Sequence, residues 1–251
     1  MRRAEATYRH LAFVEFGEDL VFGLNLGFYR TFAVPEIARV LASTGRMTRE
    51  APLRAKATGK AMFGLFRDGL DSDAAAEAVD ALNRIHARWP IDNDAFLYVL
   101  ACFDVAPMRW CDKYAWRPTT PDEKSASHVF HRRLAARMGI VDVPATWDGF
   151  ARWMDDFERR RFAPTDEAAE LWRATQGILA HRFPPRLAPL VRVAVDTFLD
   201  DPLRRALGVR RAPAPVRALA SGGMRLRAYR IGRSHADPHY RPKLPSALRD
   251  V

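Results

Sequence analysis

The chain has 251 residues, 48% of them apolar, and a formal net charge of +10, which is normal for a globular fold able to bury a core without disulfide or metal staples. The most apolar N-terminal stretch, Leu11 to Phe28, is interrupted by Glu15, Glu18 and Asp19. No membrane span is therefore expected; nor does a signal-peptide pattern follow Met1-Arg2-Arg3, so the expected location is cytoplasmic. The two cysteines, Cys102 and Cys111, are nine positions apart, which excludes a disulfide framework, a CxxC zinc pair and a covalent CxxCH haem attachment.

In chain order the pattern is helical nearly throughout. An amphipathic segment from Tyr8 to Phe32 is weakened by Gly17, Gly23 and Gly27. Pro35 opens a short helix to Ala42, closed by Ser43-Thr44-Gly45. Residues 51–69 form a helix ending at Gly69, and Ser72 or Asp73 caps the next, which runs to about Trp89 before Pro90. Asp92 or Asn93 caps a helix from Asp94 to Val105, with Pro107 as its stop. Thr120-Pro121-Asp122-Glu123 combines an N-cap threonine, proline at the first helical position and a glutamate able to reach back to the cap N–H. That helix runs to Met138, with Gly139 beyond its end. Further helices start near Thr146, at Thr165 (to Pro184-Pro185), at Arg186 (to Leu199) and at Pro202 (to Leu207). No alternating segments call for a sheet. The expected architecture is an all-α, single multi-helix domain over 1–207, followed by a basic, irregular Arg/Pro-rich tail over 208–251. The tail holds ten Lys/Arg and two Asp/Glu. It reads as solvated, with an anionic contact as the alternative; no nucleic-acid-binding signature accompanies it. The 35 arginines against five lysines fit a GC-rich bacterial source.

Few residues carry chemistry by spacing alone. Val79, Leu82, His86 and Trp89 fall on one helical stripe, so His86 points inward, as either a hydrogen-bonded core histidine or a metal or haem ligand. Arg54 and Thr58 share a helix face at i,i+4. They form either a solvated basic face or a pair that binds a carboxylate or polarises an oxygen ligand. His128 and His131 read as an exposed polar face, Asp155, Asp156 and Glu158 as a charged surface, and Cys102 as a plain buried thiol. There is no Glu-x-x-His pair, HExxH, Walker A or GxSxG.

Taken in order, Phe28-Tyr29-Arg30, Ser43-Thr44-Gly45, Arg54-xxx-Thr58, Asn83-Arg84-Ile85-His86, Asn93 to Leu100, Pro107-Met108-Arg109-Trp110, Tyr114-Ala115-Trp116-Arg117, Glu123, Met138-Gly139-Ile140 and Phe157-Glu158 resemble the MpaB-type oxygenase and rubber oxygenase family, which includes the latex-clearing proteins. The likeness spans roughly residues 8–200. It implies an all-helical domain holding non-covalent haem b (iron protoporphyrin IX), with His86 as the iron ligand and Arg54 and Thr58 on the distal side. Arg54, Arg84 and Arg117 are the candidate cations for the propionates. Phe63, Phe66, Trp89, Phe96, Tyr98, Phe103 and Trp110 are candidates for the apolar lining. The implied reaction is a dioxygen-dependent oxygenation or cleavage at a carbon–carbon double bond of an apolar small molecule. The alternatives are a non-catalytic haem sensor or carrier, a peroxidase- or monooxygenase-type haem enzyme, and a nucleic-acid-binding helical protein resting on the tail alone. Latex-clearing proteins carry a lysine before the matched threonine; here Ala57 stands there, with Lys56 one residue away. Glu36 and Glu50 lie in the region of the rubber oxygenases' catalytic glutamate and read as surface residues.

Overall fold

The computed structural model describes residues 2–45, 47, 51–176, 186, 188–237 and 239–242, with side chains 2, 51, 52, 54, 55 and 188–190 left aside. Among the described residues there are twelve α-helices and no strand. They are α1 (Arg2–His10), α2 (Gly17–Thr31), α3 (Pro35–Ser43), α4 (Ala51–Asp68), α5 (Asp73–His86), α6 (Asn93–Tyr114), α7 (Pro121–Met138), α8 (Trp147–Arg161), α9 (Asp166–Thr175), α10 (Ala188–Asp196), α11 (Asp201–Ala206) and α12 (Ala214–His235). A π-helical turn, Leu11–Glu15, joins α1 to α2. No helix of the described residues is long and apolar enough to cross a membrane.

Helix starts follow local chemistry. Ser72, Asp92, Thr120, Thr146, Thr165 and Asp200 each cap a helix by accepting from the backbone N–H three residues on, which satisfies a donor the helix cannot. Thr120 and Glu123 complete a capping box. Gly69 and Gly139 close α4 and α7 at φ +73° and +71°, where a side chain would clash.

Central packing joins α2 to α6. A Cβ on Gly23 would sit 2.4 Å from the Pro107 Cα, and one on Gly27 would sit 2.1 Å from the Cys102 carbonyl oxygen. The glycines that look like weak points in a helix are therefore the points where two backbones touch. This contact also explains why α6 runs through Pro107 to Tyr114 rather than stopping at Val105: the proline costs one backbone hydrogen bond, and its buried face packs against Gly23 and beside Trp110. Most of the core, including Phe63, Phe66, Tyr98 and Trp110, forms one cluster around this pair. A second cluster gathers Tyr29, Phe32, Trp172, Val195, Leu199 and Leu203.

Two buried polar knots tie the helices together, and both depart from the surface placement expected from sequence. Glu158, on α8, is buried and accepts from the Arg30 Nε at 2.7 Å and the Tyr98 hydroxyl at 2.9 Å; Arg30 also donates to Asp200 at 2.5 Å. Burial pushes the Arg30 guanidinium down, but Glu158 and Asp200 outweigh it and hold the group charged. The second knot is formed by His128 and His131. Both are buried because Asp104 of α6, itself buried, accepts from Ser127 at 2.6 Å and lies 2.7 Å from His128 Nδ1. Nε2 of His128 lies 2.9 Å from the Pro144 carbonyl oxygen, which can only accept, so His128 donates there.

Within the segment from 208, Ala214–His235 is helical rather than irregular. It docks through Arg227, which donates to Asp19 at 2.7 Å, and through His235, stacked on Trp116 at 4.6 Å.

Candidate functional site

α4 and α5 form a helical hairpin closed by the tight turn at 69–72. Ala61, Leu65 and Asp68 on α4 follow spacings of four and three, and Ala75 and Ala78 on α5 follow a spacing of three. These faces meet across a cleft of about 650 Å³, lined also by Phe13, Lys60, Gly64, Arg67 and Ala74. The size falls in the range of about 300–1,000 Å³ that small-molecule sites occupy. Small side chains keep the helices' facing surfaces low, and a Cβ added to Gly64 would meet nothing within 4 Å.

Continuing the same helical stripes leads to the residues singled out in the sequence. Thr58 and Arg54 lie one and two turns from Ala61 on α4, and Leu82 and His86 one and two turns from Ala78 on α5. Because the hairpin is antiparallel, both pairs lie toward its open end. Thr58 is half-buried. The Arg54 side chain lies outside the described residues, as does Glu50. His86 is half-buried and meets the Phe96 ring edge-on at 5.2 Å. Asn83 donates to the Arg137 carbonyl at 3.1 Å and so pins the end of α5 to α7. Neither Thr58 nor His86 belongs to the cleft lining proper; they lie beyond it along the same faces.

The arginines separate. Arg84 is exposed at the end of α5. Arg117 donates to Glu123 at 2.7 Å and to Glu15 at 2.9 Å, and these bonds raise its already high pKa against the opposing effect of burial. Neither lines the cleft, whereas Lys60 and Arg67 do. Arg67 is held by Asp68 at 2.7 Å. Lys60 and Arg67 fall one turn from Gly64 on either side, a signal present in the sequence but outweighed there by the Arg-xxx-Thr pattern. Ala57 and Lys56 are both exposed. Glu36 pairs with Arg161 on the surface. Cys102 is buried, and burial pushes its thiol pKa well up. Among the described residues no group of three or more His, Cys, Asp or Glu could hold a metal ion unaided.

Fold and cleft together define an all-α protein with a slot whose two walls lead to an arginine–threonine face and a histidine face. The chain belongs to the family described as ER-bound oxygenase mpaB/B′/Rubber oxygenase, catalytic domain, which it matches over residues 16–229. That stretch includes most of α12. It is 24% identical over 226 residues to the ER-bound oxygenase mpaB′ of Penicillium brevicompactum, covering 82% of this chain and 53% of the relative. It is 23% identical over 218 residues to the ER-bound oxygenase mpaB of Penicillium roqueforti, covering 79% of this chain and 73% of the relative. The chain thus spans about half the length of the first relative.

Proposed function

We propose that the chain is a haem b-dependent oxygenase that uses dioxygen on an apolar small molecule, at a carbon–carbon double bond. The observation that carries this reading is the α4–α5 cleft: a mostly apolar slot walled by alanines and a glycine, with Lys60 and the Arg67–Asp68 pair at its edge and a histidine further along one wall. These residues fit a flat apolar cofactor with anionic side chains. His86 would hold the iron. Lys60 and Arg67 join Arg54, Arg84 and Arg117 as candidate partners for the propionates, and Lys60 and Arg67 are favoured by their place in the lining. Bound haem supplies the oxygen chemistry.

The chain's own residues supply placement and polarity. Small side chains at Ala61, Gly64, Ala75 and Ala78 leave room for the ring system. Phe13 and Leu65, which line the cleft, would help to exclude water from it. Thr58, on the wall opposite His86, and Arg54, one turn earlier on the same helix, would supply hydrogen-bond donors where negative charge develops during reaction, which is where fixed donors lower a barrier most.

The reading is tested by dioxygen uptake and carbonyl products from an isoprenoid polyene such as squalene, with haem-loaded protein. Turnover is expected for the wild type, with a loss of about 100-fold in Arg54→Ala or Thr58→Ala, the lower end for removing one such donor. A haem-loaded protein that consumes no dioxygen with any apolar alkene would be a carrier or sensor instead.

A further inference from the structure

The outward side of α12 is unlike a solvated helix. Leu219, Leu226 and Tyr229 are 69%, 50% and 62% exposed. With Gly222 and Arg233 they follow spacings of three and four, so all five lie on one stripe. Arg225 and Arg230 flank it and, like Arg233, are exposed. Among the described residues, none of these three arginines pairs with a carboxylate. The helix carries five arginines and no acidic residue. The inward side is separately occupied: Val216, Ala220 and Met224 close over an apolar groove of about 460 Å³ shared with α2, α6 and α10, and Arg227 is committed to Asp19. Leu219 belongs to both sides, exposed on the stripe and at the edge of the groove.

An aliphatic and aromatic stripe bordered by unpaired arginines has a specific complement. Nucleic acid would use the arginines but leave the leucines in water. A stable protein partner needs roughly 800 Å² per side, more than a stripe one residue wide offers. An anionic bilayer takes both features at once, with apolar side chains entering among the headgroups and cations meeting lipid phosphates. We propose that α12 is an interfacial helix that lays this chain on an anionic lipid surface, with Leu219, Leu226 and Tyr229 inserted and Arg225, Arg230 and Arg233 on the headgroups. The proposal does not depend on any cofactor.

Co-sedimentation of the full chain with vesicles tests it. Vesicles of equimolar phosphatidylcholine and phosphatidylglycerol should bind the wild type, and pure phosphatidylcholine vesicles should bind it much more weakly. Replacing Arg225, Arg230 and Arg233 by Gln should weaken binding by roughly fivefold per arginine. Leu219→Ser with Leu226→Ser should weaken it at high salt, where the arginines are screened. The sites are exposed, and an unchanged circular-dichroism melt confirms that each variant folds. Wild-type salt dependence gives a second reading without any variant: binding to the anionic vesicles should fall with salt and retain a residue from the apolar stripe. No binding of the wild type to the anionic vesicles would overturn the proposal. So would equal binding to both vesicle types, or a DNA duplex bound more tightly than the vesicles with no effect of the leucine changes.

Discussion

His86 and the His128–His131 pair occupy opposite kinds of surroundings. The pair sits in the tight part of the molecule, where α6 meets α7 and α2 meets α6 backbone to backbone. Each ring there has a fixed neighbour: Asp104 and the Pro144 carbonyl for His128, and the Ser127 carbonyl, at 2.9 Å, for His131. His86 sits at the half-buried end of a hairpin whose facing walls carry small residues along a cleft. A histidine held by a buried carboxylate fastens helices; His86, beyond the cleft on the α5 wall, instead meets the Phe96 ring edge-on. Spacing alone cannot separate the two. The i,i+3 pair looks like surface because Asp104, which draws it inside, is 24 residues away in the chain.

The largest break in this contrast is Asp104→Asn, which leaves the His128 ring facing a neutral partner inside the core. It should cost about 3–5 kcal/mol, the range for removing one member of a buried pair, read as a lower urea midpoint. Gly27→Ala comes next. Its methyl has no room beside the Cys102 carbonyl, and a loss of about 3 kcal/mol is expected, the upper end of overpacking costs. The same substitution at Gly64 should do the reverse. The added methyl meets nothing, and the gain in helix propensity is up to about 1 kcal/mol. Gly64→Leu should likewise leave the fold intact but lower haem content by filling the slot.

Acid sharpens the contrast further. Burial pushes the Asp104 carboxyl up, but His131 and then His128 outweigh it, and its pKa is lowered below the ordinary value. Its stabilisation is therefore complete above the unfolded value of about 3.9 and is lost as pH falls through the lower folded value. Urea midpoints measured from neutral pH down to pH ~3 should fall in the wild type and show a shallower fall in Asp104→Asn. Gly222→Ala on α12 also meets nothing within 4 Å and, like Gly64→Ala, should add up to about 1 kcal/mol of stability.

Much of the fold was legible because it depends on neighbours in the chain. Ser72, Thr120, Thr146 and Thr165 announce their helices within four residues, and Gly69 and Gly139 end theirs. What was hidden depends on distance. Glu158 is buried by Arg30, 128 residues earlier. Pro107 is tolerated because of Gly23. α12 conceals its periodicity because apolar residues lie on both of its sides, Met224 inward and Leu226 outward, so no single stripe stands out. Of the site, His86 and Thr58 were singled out by their helix faces together with the family resemblance, and the structure sets both beyond the cleft lining along those faces. Lys60 and Arg67 were passed over because their relation to the cleft appears only when α5 folds back on α4.

The proposal most in need of a test is that His86, beyond the slot on the α5 wall, and not the fastened pair, holds haem. The most direct test is a pyridine haemochrome assay on the wild type and His86→Ala, each expressed with haem precursor and checked by a thermal melt. Near-stoichiometric haem b in the wild type and its loss from a folded His86→Ala variant is the result predicted. Full haem in His86→Ala, or a wild type that stays colourless when haemin is added, would contradict it.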